Sequence, residues 1–144
     1  MSERNAEAAR RFYEAFNREG LDAISDRHFH EDVVVVEPSE LPDSAQTRGL
    51  QAARAGLAKF VDLFDDVVVA VDEILERDER TLTAIRVSAA GKESGAVVET
   101  TRFDLATWSD ERVTRIELFF DREAAEAAFE RGGPPEPGDE PGEG

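Results

Sequence analysis

Glu37 stands where acid–base chemistry would be well served. It follows the β-branched run Val33-Val34-Val35-Val36, shares the alternating face of Val33 and Val35, and precedes Pro38, which should end the pairing. A carboxylate aimed into an apolar interior is driven by desolvation toward holding a proton. That suits a base that moves a proton beside a carbonyl. The plain alternative is a strand-end carboxylate in water. Asp104 lies between Phe103 and Leu105, where a charged group must face solvent or find a partner, and Arg102 and Arg86 are the candidates. Tyr13 carries the only phenol in the chain and could donate a hydrogen bond to a developing oxyanion.

Other residues offer weaker chemistry. His28 and His30 form an H-x-H pair beside Glu31 and Asp32, which invites a metal. They straddle an expected helix end, so the rings need not converge, and no metal site is assigned. Arg48 before Gly49 could hold a substrate carboxylate, or simply anchor a loop through an ion pair. Phe12, Phe16, Val35, Phe60, Phe103 and Trp108 are the candidates to line a ligand pocket, against the ordinary reading of core packing. The chain has no G-x-S-x-G elbow, no phosphate-binding P-loop and no H-E-x-x-H motif. Gly91-Lys92-Glu93-Ser94-Gly95 reads as a hairpin turn.

These residues need elements to position them. Ala6, Ala9, Phe12, Tyr13 and Phe16 recur at three- and four-residue steps and predict a helix, with Ser2 as N-cap and Gly20 as C-cap. Leu21, Ile24, His28 and Phe29 predict a second, shorter helix over 21–29, followed by a strand at 33–36. Positions 38–49, with two prolines, are read as a loop able to serve as a rim or lid. Leu50, Ala53, Leu57, Phe60 and Phe64 predict a third helix. Strands are expected over 67–75, 81–89, 96–108 and 113–120, as an antiparallel meander, and Asp121 should cap a last helix ending near 131. Helices interleaved with one strand and then four strands in succession predict an α+β fold. A curved mixed sheet would wrap the N-terminal helices as a cone-shaped, cystatin-like α+β barrel, whose opening is a natural ligand site.

The 144 residues fit one domain, over 1–131, with an acidic Gly/Pro tail over 132–144 too poor in apolar side chains to order itself. A formal charge of −16 with no basic stripe argues against nucleic acid. The absence of cysteine removes disulfides, thiolate metal sites and a cysteine nucleophile. No apolar run reaches the length of a membrane span, and Met1-Ser2-Glu3-Arg4-Asn5 begins no hydrophobic signal region, so a cytoplasmic protein without membrane contact is expected.

Several local strings resemble the nuclear transport factor 2-like superfamily, and within it the SnoaL-like and ketosteroid-isomerase-like bacterial proteins. They are Arg11-Phe12-Tyr13-Glu14-Ala15-Phe16-Asn17, Leu21-Asp22-Ala23, His30-Glu31-Asp32-Val33, Arg48-Gly49, Ser94-Gly95, and the stretch from Trp108 through Phe120 to Asp121-Arg122-Glu123-Ala124-Ala125. The resemblance covers residues 5–128. It implies a pocket for a small apolar molecule, a homodimer paired through its sheets, and no cofactor. If the chain is an enzyme, it implies an isomerisation or aldol-type cyclisation by proton transfer, with Glu37 as base and Asp104 or Tyr13 as electrophilic support. The alternative is a noncatalytic binding or dimerisation module. Counting back from Asn17, the isomerase tyrosine falls on Phe12, roughly 100° around the helix from Tyr13, so the resemblance gives Tyr13 a core or rim place.

Overall fold

Helix α1 (Arg4–Glu19) forms where the apolar residues repeat at helical spacing, burying Ala8, Ala9, Tyr13, Ala15 and Phe16 along one stripe. It ends at Gly20, whose φ of +64° is a left-handed conformation that a residue with a Cβ adopts only at a cost. The computed structural model describes residues 4–38 and 46–131; the expected cap at Ser2 and the tail over 132–144 lie outside them. After Gly20 the chain departs from expectation. In place of a second helix over 21–29 there is one 3₁₀ turn (Gly20–Ala23), and strand β1 already begins at Phe29 (Phe29–Val36). Ala23, Ile24 and Phe29 are buried as the spacing suggested, but the one further turn, closed by the Phe29 N–H on the Ser25 carbonyl at 2.9 Å, runs straight into β1.

The stretch 38–49, read as loop throughout, contains a short strand β2 (Gln46–Arg48) that pairs antiparallel with Val34, Val35 and Val36. Helix α2 (Leu50–Val61) follows. The meander is then β3 (Phe64–Arg77), β4 (Arg80–Gly91), β5 (Val97–Ser109) and β6 (Arg112–Phe119), closed by α3 (Arg122–Glu130). Asp65 and Asp66, expected to separate helix from strand, lie within β3 at a register shift where Asp66 takes φ +55°. Asp121 caps α3 as expected, accepting from the Ala124 N–H at 2.9 Å.

The six strands run in the order β2-β1-β6-β5-β4-β3, mixed because β1 lies parallel to β6 while the other neighbours are antiparallel. The sheet is curved and does not close, β2 and β3 being its edges. Strand alternation gives it two apolar faces. Val69, Ile85, Val87, Ala106, Trp108 and Val113 point inward against α1. Leu82, Ala84, Phe103 and Leu105 point outward beneath Ala125, Ala128 and Phe129 of α3. Each large side chain so buried contributes on the order of 1.5–3 kcal/mol.

Polar anchors fix the helices on this frame. Asn17 completes the exposed edge of β3, donating to the Val69 carbonyl at 2.8 Å and accepting from the Val69 N–H at 2.9 Å. Glu76 accepts from the Ala6 N–H at the start of α1. On the outer side the buried guanidinium of Arg80 donates to the Phe129 carbonyl and lies over the Phe129 ring, holding the end of α3. No helix among the described residues is long and apolar enough to cross a membrane.

Candidate functional site

Strand β5 carries the polar centre of the molecule. Its inward residues are Trp108, Ala106, Asp104, Arg102, Thr100 and Val98, and exposure rises along that row. Trp108 and Asp104 are 3% and 2% exposed, the Arg102 side chain 28%, and Val98 47%. The inward row is therefore buried around Trp108 and Asp104 and exposed toward Val98, with Arg102 between the two. Trp108 is anchored at the buried end, donating its indole N–H to the Thr81 hydroxyl at 2.9 Å.

Four side chains meet at Asp104. The Tyr13 hydroxyl donates to Asp104 Oδ2 at 2.6 Å, a length typical of a hydroxyl held by a carboxylate. Arg102 donates through Nε to Oδ1 at 2.8 Å and through Nη2 to Oδ2 at 3.2 Å, a two-pronged clamp between residues two apart on one strand. Thr83, buried opposite Asp104 on β4, completes the cluster and acts on the Tyr13 phenol against the effect of Asp104. Burial, and then the neighbouring Asp104 carboxylate, push the Tyr13 phenol well above its ordinary pKa, so it stays a neutral donor. Burial works against the Arg102 charge, but Asp104 outweighs it and the guanidinium is held above its ordinary value.

The sheet register relates Glu37 to this cluster. β1 ends at Val36, which pairs with Glu117, so Glu37 follows one residue past the paired strand, while on the neighbouring strands Leu118 pairs with Asp104 and Asp104 with Thr83. Glu37 is half-buried. Phe120, 41% exposed, follows the end of β6, whose Phe119 pairs with Phe103.

Of the residues singled out from sequence, Tyr13 and Asp104 come into direct contact, and Glu37 directly follows the end of β1. Tyr13 is a core residue, yet it, rather than its neighbour Phe12, reaches the strand carboxylate. Phe12 packs edge-on against Tyr13, His28 and Phe29 with ring centroids 5.0–5.6 Å apart. Phe16 is core, and Val35 is half-buried on the inner face. Phe60 is 38% exposed on α2, tilted against Phe64. Phe103 does not line the concave side. It points outward under α3 with Arg122 over its ring, because it is one residue out of phase with Asp104. Both Asp104 oxygens accept hydrogen bonds, Oδ1 from Arg102 and Oδ2 from Tyr13 and Arg102. Of its two expected partners Arg102 is the real one, while Arg86 pairs with Asp72 on the outer face.

Arg102 is expected from sequence as a partner of Asp104, two residues away on the same face of a strand, whereas Thr83 carries no signal of its own and is found only through its pairing with Asp104. The histidines diverge: His30 Nδ1 accepts from the Asp32 N–H at 3.1 Å, and His28 packs against Phe12. Among the described residues no three His, Asp or Glu side chains gather as metal ligands. A separate cleft of about 370 Å³ lies between the 3₁₀ turn and α2, lined by Ile24, Ser25, Asp26, Leu50, Gln51 and Arg54, and shares no residue with the cluster.

Solved structures show the same architecture. A candidate SnoaL-like polyketide cyclase from Jannaschia sp. is 20% identical, covering 92% of this chain and 94% of its own at a TM-score of 0.71. TerC, co-crystallised with polyporic acid, is 22% identical over 88% and 98% at 0.69. A protein with a ketosteroid isomerase-like fold from Catenulispora acidiphila, in complex with trimethylamine, is 13% identical over 89% and 98% at 0.68. No curated protein matches the chain in sequence. The SnoaL-like domain family matches residues 9–116, three quarters of the chain and every strand of the sheet save the last turns of β6, and the chain belongs to that family.

Proposed function

We propose that the concave site binds a small, mostly apolar carbonyl compound and moves a proton beside the carbonyl, as a cofactor-free isomerase or aldol-type cyclase. The observation that carries this reading is the Tyr13–Asp104–Arg102 cluster, an ionic group set in an otherwise apolar wall where the cone opens. Such a cluster contributes little net stability compared with apolar packing, so its presence asks for a further role. Glu37 takes the α-proton. The enolate oxygen that forms accepts an N–H from Arg102, whose guanidinium Asp104 and Tyr13 hold in place. The proton on Glu37 returns to a different carbon in an isomerisation, or the enolate carbon attacks a second carbonyl and the resulting alkoxide is protonated in a cyclisation.

The test is deuterium uptake from heavy water at the α-carbon, followed by NMR over cyclic ketones and polyketide-like compounds. Glu37→Gln should stay folded and abolish uptake; uptake at the wild-type rate in that variant removes Glu37 as base.

One observation favours a noncatalytic binding module instead: both Asp104 oxygens are already satisfied within the protein. Binding of ketones without any α-proton exchange would select that reading. We also propose that two copies pair through their sheets, supported by Val68, Leu75 and Val97, outward-facing and 40–77% exposed. A sedimentation run showing only monomer at micromolar concentration would remove it.

A further inference from the structure

We infer that the concave site selects neutral, hydrogen-bond-accepting ligands and rejects anions, because Asp104 cancels the charge of the one cation at its threshold. The inference rests on the pocket reading above. Along the inward rows of β4, β5 and β6, Arg102 is the only cation among the described residues; its neighbours there are Thr81, Thr83, Ile85, Ile116 and Leu118. Two of its three nitrogens are committed to Asp104. Nη1 has no hydrogen-bond partner among the described residues. The group thus offers an N–H donor at the mouth with no surplus positive charge behind it.

An entering carboxylate would meet a guanidinium already neutralised by Asp104, on a chain of net charge −16. It would lose its hydration without finding a matching charge. A ketone, quinone or ester oxygen loses far less hydration and accepts the free N–H. Asp104 is by this argument a specificity residue that acts through Arg102.

The test compares methyl naphthoate with naphthoate, the same ring bearing a neutral ester or an ionised carboxylate, by calorimetric titration at neutral pH. The wild-type protein should bind the ester at least about tenfold more tightly, and Asp104→Asn should reverse the order by exposing the guanidinium charge. Equal wild-type affinities, or an unchanged preference in Asp104→Asn, overturn the inference while leaving the pocket reading in place. Should Asp104→Asn fail to fold, Arg102→Met decides: it should weaken the ester about tenfold with no gain for naphthoate, and unchanged ester affinity is the overturning result. If neither probe binds the wild-type protein at millimolar concentration, the pocket reading itself falls and this inference with it.

Discussion

Removing the Tyr13 hydroxyl probes the centre of the site directly. Tyr13→Phe keeps the ring, which packs among Ala9, Phe12 and Phe16, and deletes a donor that reaches Asp104 at 2.6 Å. Asp104 is 2% exposed, so water cannot replace the lost bond, and the carboxylate keeps only its Arg102 clamp. A buried hydrogen bond to a charged acceptor contributes about 1.5–3 kcal/mol. For a chain of this size that corresponds to a fall in Tm of about 5–10 °C. Urea denaturation followed by circular dichroism should show a lower midpoint with an unchanged slope. A second readout comes free, because Tyr13 is the only tyrosine and phenolate absorbance therefore reports it alone. Its folded-state pKa is raised by burial and then by Asp104. The stabilisation from its neutral form is thus fully present below the unfolded value of about 10 and is lost as pH rises beyond it. Phenolate should appear only together with loss of the circular dichroism signal. A destabilisation under about 0.5 kcal/mol, or a phenol titrating near pH 10 in a folded protein, would refute the reasoning.

His28 is held below its ordinary pKa by desolvation and then by Arg27, and its buried Nε2 lacks a partner among the described residues. The unfolded chain therefore takes up the proton first, and stability falls as pH drops through about 6.5; His28→Phe should flatten that slope in denaturation curves between pH about 7 and 5.5. Asn17→Asp keeps the acceptor for the Val69 N–H but turns a carboxylate oxygen toward the Val69 carbonyl. It should cost at least as much as Asn17→Ala, about 1–3 kcal/mol in urea melts. Arg80→Met removes the donor to the Phe129 carbonyl and should destabilise by about 1.5–3 kcal/mol, with amide exchange accelerating first across residues 122–130.

The meander and its outer helices were legible because their signals are local. The β-branched runs, the Ser109-Asp110-Glu111 turn and the Asp121 cap each act within a few residues. The false helix over 21–29 arose where the same local logic meets too short a segment. Ile24 and Phe29 are buried as their spacing implied, yet tertiary packing buries them from a 3₁₀ turn and a strand start. Strand β2 gave no apolar alternation, since Gln46 and Arg48 are exposed and the strand exists only through its pairing with β1. The register of β5 decided which residues face the cone. A one-residue ambiguity at 102–104 exchanges the inner and outer faces, which is why Phe103 is grouped with the pocket from sequence and why Arg102 figures there only as a partner of Asp104.

The same alternation explains how one strand serves two structures. Phe103 and Leu105 fasten β5 to α3, while Arg102 and Asp104, interleaved with them, turn to the other face. The ionic pair is thus fixed from behind by an apolar layer, and it cannot retreat to solvent without unseating α3. That rigidity lets a pair that adds little net stability hold a defined donor at the mouth of the cone, where the exposure of the inward row rises from Asp104 to Val98. Loosening the outer layer should therefore disturb the site without touching it. Phe103→Ala removes a ring that Arg122 and α3 cover, at a cost of about 3–5 kcal/mol. In a variant still folded at low temperature, methyl naphthoate affinity should fall although no inward residue has changed. Ester affinity equal to that of the wild-type protein would show that the donor is held from the concave side alone, by Tyr13 and Thr83.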